Sequence, residues 1–176
     1  MYINYNIRYP IIQDFLSFFL KKLLKSKEGV QMKLLIDADG CPVVEIAVTT
    51  AQRFGLKTVI ISDTSHEYQS DYAEIIKVDK GADSVDFKLV NLIEAGDIAI
   101  TQDYGLAAMV LAKKGIPIRQ DGLVYSDQNI DVLLAQRHTA GKIRRAGGRL
   151  KESRKRTKEE DEAFYKSLCE IIMKNK

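Results

Sequence analysis

Leu34-Leu35-Ile36-Asp37-Ala38-Asp39-Gly40 is the stretch whose reading decides the fold. A short apolar run bounded by aspartates and a glycine reads as a buried strand that runs out into a turn. In an open α/β sheet the carboxyl ends of parallel strands form the crevice where ligands sit, so Asp37 and Asp39 are expected at a mouth. A second run, Ile98-Ala99-Ile100-Thr101-Gln102-Asp103, ends in the same way and sends Asp103 to the same edge.

Outward from these runs, strand and helix alternate. Residues 33–37 and 58–61 read as strands with a helix over 43–54 between them, Pro42 in its first turn and Gly55 just past its end. A polar loop over 63–71 leads to a short strand at 74–78, then to a helix capped by Asp83 or Ser84 that runs to Glu94 and stops at Ala95-Gly96. Asp97 opens the strand 98–101, and a helix over 104–114 follows. Ile116-Pro117-Ile118 is an edge strand, because proline has no N–H for a ladder. Ser126 or Asp127 caps a helix ending near His138. Thr157-Lys158-Glu159-Glu160 reads as a capping box for a last helix through Ile172, with Phe164, Leu168 and Ile171 or Ile172 as its packing stripe. The alternation predicts an α/β protein with an open, mostly parallel sheet flanked by helices on both faces, plus a C-terminal helix. If the strand order switches between the first and fourth strands, Asp37 and Asp103 become neighbours.

Composition sets the class. A chain of 176 residues that is 45% hydrophobic and 29% charged fits one soluble domain able to build a core without disulfides. Cys41 and Cys169 form no paired motif, which argues against a zinc set or a disulfide framework and for a reducing, cytoplasmic setting. The net charge of +3 conceals an asymmetry: residues 137–158 carry ten Lys or Arg against one acid, Glu152. This basic loop over 137–158 offers Arg144, Arg145, Arg149, Lys151, Arg154, Lys155 and Arg156 around flexible glycines, a composition suited to tracking a phosphate backbone.

Residues 1–31 stand apart from the domain at 32–176. Phe15-Leu16-Ser17-Phe18-Phe19-Leu20 is followed, not preceded, by Lys21-Lys22, unlike a secretory signal, and falls well short of the roughly 20 residues that span a bilayer. No membrane association is expected. An amphipathic or docked extra helix is one reading of this extension. The other is that translation properly starts at Met32, since Lys27-Glu28-Gly29 is what a purine-rich ribosome-binding site would encode if read through.

Carboxylates that converge repel one another unless they share a cation or a proton, so the mouth is expected to hold Mg²⁺ or Mn²⁺ and to work on phosphate. Asp63, Asp79 and Asp83 read first as cap or turn residues. Asp97 begins its strand and belongs to the opposite edge. Asp37, Asp39 and Asp103 directly follow apolar strands, where an unpaired charge is costly, and are the candidate ligands. Cys41 precedes a helix, which lowers a thiol pKa, yet with no histidine near it in sequence it reads more readily as a packed turn residue. His66 lies in the loop after the second strand, either touching substrate or metal or simply solvated.

Asp37-Ala38-Asp39-Gly40-Cys41-Pro42-Val43, Gly81-Ala82-Asp83-Ser84-Val85-Asp86 and the run from Gly96 to Ala107 with its Thr101-Gln102-Asp103 resemble the bacterial YaiI/YqxD family, also called UPF0178 or DUF188. The resemblance runs from about Met32 to the C-terminal helix. That family is grouped by pattern with PIN-like nuclease domains, which implies a PIN-like fold and a metal-dependent nuclease, with RNA as the favoured substrate. It implies Asp37, Asp86 (or Asp83) and Asp103 as ligands of one or two metal ions, Asp39 as a further ligand or base, and products bearing a 5′-phosphate and a 3′-hydroxyl. The tight Asp37-x-Asp39 pair and Cys41-Pro42 depart from many PIN-like domains. Two alternatives stay open. One is a non-catalytic RNA-binding module of the same fold. The other is a phosphatase of the haloacid-dehalogenase type, whose nucleophile motif Leu35 to Gly40 also resembles, although Gly96-Asp97 precedes its strand instead of following one. A homodimer through the C-terminal helix or the extension is a further expectation.

Overall fold

Leu34, Leu35 and Ile36 are all buried, which only a strand covered on both faces achieves. They lie in β1 (Lys33–Asp37), the middle of a five-stranded sheet ordered β3-β2-β1-β4-β5 with β2 at Lys57–Asp63, β3 at Glu74–Val78, β4 at Ile98–Ile100 and β5 at Ile116–Ile118. Every pairing is parallel. The helices are α1 (Val44–Phe54), α2 (Ser84–Leu92), α3 (Tyr104–Ala112), α4 (Ile130–Arg145) and α5 (Lys158–Asn175). The computed structural model describes residues 32–79, 84–145 and 155–175, so the reading of residues 1–31 lies outside the described residues.

A parallel sheet needs crossovers, and their handedness puts α1 on one face and α2 and α3 on the other. Leu35, Val59, Ile61 and Ala99 on the second face pack with Val85, Leu89 and Ile93 of the α2 region and with Leu106 and Val110 of α3. The alternate residues Leu34, Ile36 and Ile60 point to the first face, where α1 and α5 pack against each other. There α1 buries Ala47, Ala51 and Phe54, and α5 buries Phe164, Tyr165, Leu168, Cys169, Ile171 and Ile172. Each of the larger side chains contributes about 1.5–3 kcal/mol by leaving water. The expected capping box forms: the Glu160 N–H donates to Thr157 Oγ1 and the Thr157 N–H to Glu160 Oε2.

The sheet is α/β with helices on both faces, as the alternation predicts, and the order reverses between β1 and β4. Ile36 pairs with both Ile60 and Ile100, so β1 and β4 end side by side at the switch point. Pro117 sits on the edge strand, where its missing N–H leaves no ladder bond unmade and its carbonyl accepts from the Tyr125 N–H at 2.9 Å.

One expectation is corrected. The helix foreseen from Ser126 or Asp127 to His138 starts at Ile130 and continues to Arg145, so residues 137–145 of the expected basic loop are helical. Arg, Lys, Gln and Ala are good helix formers whatever their charge, and Gly141 costs only about 1 kcal/mol in a helix interior. Before it, Ser126–Asn129 form a turn closed by the Ile130 N–H on the Ser126 carbonyl at 3.0 Å.

Candidate functional site

The chain turns sharply as β1 ends. Gly40 adopts φ +68°, a conformation that suits glycine, and lets the Cys41 N–H close back on the Ala38 carbonyl at 3.1 Å. The turn is held from both sides: Tyr68 Oη donates to the Ala38 carbonyl at 2.6 Å and Gln102 Nε2 to the Gly40 carbonyl at 2.8 Å.

Thr101 ties the two strand ends together. Its hydroxyl donates to Asp37 Oδ2 at 2.7 Å and accepts the Asp103 N–H at 3.0 Å. Burial pushes the Asp37 carboxyl up, to about 6; the Thr101 bond opposes this, and the negative fields of Asp86, Asp39 and Asp103 add to it. Asp39, Asp86 and Asp103 thus lie within electrostatic reach of Asp37, from the turn after β1, the first turn of α2 and the cap of α3.

Asp103 has more local work than its sequence position implies. Its Oδ1 accepts the Gly105 and Leu106 N–H groups at 2.6 and 3.1 Å, capping α3, while Oδ2 takes Arg137 Nη1 at 2.6 Å. Burial pushes this carboxyl up, but Arg137 and the two backbone donors outweigh it and hold it below the usual carboxylate range. Arg137 also lies over the Tyr104 ring, 5.8 Å from its centre. Tyr104 is itself fixed, edge-on to Tyr125 at 5.9 Å and accepting from Arg119 Nη1 at 3.2 Å.

On the other flank, Asp39 accepts the Asp63 N–H at 3.2 and 3.3 Å, and His66 Nδ1 stands 3.5 Å from Asp39 Oδ1 and 3.4 Å from Asp63 Oδ1. One ligating atom from each of Asp39, Asp63 and His66 lies within 4.8 Å of the others. Among the described residues Asp37, Asp86 and Asp103 do not draw together so tightly. Arg137 stands on Asp103 Oδ2, the oxygen of that carboxylate not used to cap α3.

Cys41 is not poised for nucleophilic work. Burial pushes its thiol up to about 11, against the lowering effect of the Val43 backbone, so it stays protonated at neutral pH and acts as a turn residue. Asp97 lies at the far edge, 1% exposed, as its place before β4 foretells. Of the basic residues, Lys155 is exposed, while Arg156 is engaged by Asp161 Oδ1 at 2.5 Å and by the Gln120 carbonyl at 2.7 Å. Arg144 and Arg145 end the backbone of α4, but their side chains, like Asp83, Arg149, Lys151 and Arg154 as a whole, lie outside the described residues.

Thr101, Tyr104, Arg137 and the closeness of Asp63 to Asp39 were not singled out by sequence reasoning. A hydroxyl residue closing the otherwise apolar run 98–100 is the one local signal that could have drawn notice to Thr101. Nothing in the spacing marks Arg137, which reaches Asp103 across 34 residues.

A doubly wound parallel sheet with carboxylates at its switch point defines a class of α/β domain that presents an acidic ligand mouth. Within that class the chain belongs to the YaiI/YqxD family: the DUF188 family model, described as "Uncharacterized BCR, YaiI/YqxD family", matches residues 35–174. It is 54% identical to a UPF0178 protein of Ruminiclostridium cellulolyticum over 141 residues, which cover 80% of this chain and 92% of that one. Similar relatives are UPF0178 proteins of Alkaliphilus oremlandii, 48% identical over 82% of this chain and 93% of its own, and of Exiguobacterium sibiricum, 46% identical over 80% and 96%. No solved structure matches. Among the described residues no helix is long and apolar enough to cross a membrane.

Proposed function

We propose that this chain is a divalent-metal-dependent nuclease that hydrolyses phosphodiester bonds, with RNA as substrate. The observation that carries the reading is the mouth itself: Asp37 is pushed up to about 6 by burial and by three neighbouring carboxylates, a repulsion that a divalent cation relieves. The donors fit Mg²⁺ or Mn²⁺, since all are hard carboxylate oxygens. When bound, such an ion supplies Lewis-acid polarisation of the scissile phosphate and acidifies an attacking water. Asp37, Asp86 and Asp103 are the residues that would hold it, and Thr101 fixes the Asp37 rotamer by its hydrogen bond. Asp39, whose side chain is 31% exposed at the rim, would be the base that accepts the proton of the attacking water.

The ten cations of residues 137–158 support a polyanionic substrate. Phe87, next to Asp86 and 61% exposed, offers a ring on which an unpaired base can stack. The preference for RNA rests on the likeness to PIN-like domains alone.

The Arg137 pair with Asp103 favours a second reading, a binding module in which a cation of the protein's own fills the mouth. The phosphatase reading loses ground, because Asp97 is bonded to the Lys33 and Glu94 N–H groups at the opposite edge of the sheet. Mn²⁺-dependent cleavage of labelled single-stranded and hairpin RNAs tests the proposal against Asp37→Asn and Asp103→Asn. Asparagine is as good an N-cap as aspartate, so the second variant keeps α3 intact while removing the charge. Cleavage by the wild type and loss in both variants is the expected result; RNA binding without cleavage in all three would leave the binding module. A covalent phosphoaspartate at Asp37 would restore the phosphatase.

A further inference from the structure

We infer that Arg137 is a phosphate-binding residue parked on Asp103, competing with the metal for Asp103 Oδ2 and released to the substrate once the metal is in place. The inference rests on the metal-site reading above and adds to it a residue and an order of events. Asp103 Oδ1 is committed to the N-terminus of α3, so Oδ2 is the atom left for an incoming cation, and that atom is the one Arg137 Nη1 holds at 2.6 Å. Arg137 and a divalent cation would compete for Oδ2, and the cation's greater charge would free the guanidinium from Asp103.

The freed side chain would keep a second partner. Its guanidinium lies over Tyr104, 5.8 Å from the ring centre, and that ring is fixed by Tyr125 at 5.9 Å and Arg119 at 3.2 Å. A stacked guanidinium keeps its charge and its forked donors at the mouth, next to where a metal-bound phosphate would lie. The pair is half-exposed, 50% for Arg137 and 32% for Asp103, so breaking it is cheap and the exchange is reversible. A residue that served only to moor α4 on α3 would stabilise the fold without affecting metal affinity. A phosphate ligand that competes with metal must affect both metal and RNA, in opposite directions.

The test compares wild type, Arg137→Gln, Arg137→Lys and Asp37→Asn in two assays. The first is Mn²⁺ binding to the protein alone, followed by electron paramagnetic resonance. The second is the salt dependence of binding to a cleavage-resistant phosphorothioate single-stranded RNA in saturating Mn²⁺. Arg137→Gln is expected to bind Mn²⁺ about three- to fivefold more tightly, the worth of one half-exposed ion pair. It is also expected to bind the RNA more weakly, with the slope of log affinity against log salt shallower by about 0.7, one phosphate contact on a single strand. Arg137→Lys, which keeps the charge but not the fork, should retain the wild-type salt slope and bind the RNA less tightly than wild type. Equal Mn²⁺ affinity in wild type and Arg137→Gln, with Asp37→Asn abolishing it, would overturn the role of Arg137 and leave the metal site standing. Mn²⁺ binding indifferent to Asp37→Asn would overturn both. Should Arg137→Gln fail to fold, Arg137→Lys decides: an RNA affinity equal to wild type overturns the inference.

Discussion

At Asp37 a carboxylate works against the fold that holds it. Its pKa of about 6 in the folded chain, against an ordinary 3.8, means the folded state holds a proton that the unfolded state releases between about pH 4 and pH 6. Stability from this group is therefore fullest below about pH 4 and is lost as pH rises to about 6, where the deficit reaches about 2–3 kcal/mol. Asp37→Asn mimics the protonated form and escapes the deficit. In EDTA at pH 8 the variant is expected to unfold at a higher urea concentration than wild type, and the two curves should converge near pH 4. A wild type equal to or more stable than the variant at pH 8 would show that Asp37 is ionised without strain. On the proposed metal-binding reading, Mn²⁺ uptake should follow the opposite course, strengthening as pH rises through about 6, because Asp37 would first have to lose its proton.

At the scale of elements, the two ends of the sheet are built differently. The carboxyl edge gathers like charges. The amino edge satisfies one: buried Asp97 accepts the Lys33 N–H at 2.8 Å and the Glu94 N–H at 2.9 Å and meets Lys33 Nζ at 3.3 Å, locking the starts of β1 and β4 to the end of the α2 segment. Asp97→Ala leaves buried donors unpaired and should cost about 3 kcal/mol in urea denaturation, with Mn²⁺ affinity unchanged at temperatures where the variant is folded. A cost below about 1 kcal/mol would mean that water replaces the carboxylate. The elements themselves were largely legible in sequence, since burial on two faces writes an apolar run and a proline writes an edge. The extent of α4 was not, because a charge run with one glycine looks like a loop unless its helix propensity is summed. Of the site, Asp37 and Asp103 were legible as strand ends in a switched sheet. The hydroxyl bridge of Thr101 and the long reach of Arg137 were not, since local spacing carries no trace of which distant side chains meet.

For the whole molecule, the proposed metal site draws its residues from β1, α2 and α3, so binding there would be linked to global stability. At about one hundred times its dissociation constant, Mn²⁺ should add about 2.7 kcal/mol. For a domain of this size that raises Tm by roughly 5–10 °C. EDTA should reverse the shift, and Asp37→Asn should show none. An unchanged wild-type Tm at millimolar Mn²⁺ would place the ion, if bound at all, on the unfolded chain as much as on the folded one.

The packing of α5 on α1 has a consequence for how the protein is made. The face of α1 that carries Ala47, Ala51 and Phe54 is covered by α5 with its Phe164, Leu168 and Ile172, which are made more than a hundred residues later, so α1 leaves the ribosome well before its cover. At ordinary translation speeds that interval is on the order of ten seconds. Until α5 emerges, that apolar face has no cover from its own chain and is the surface on which a half-made molecule would aggregate.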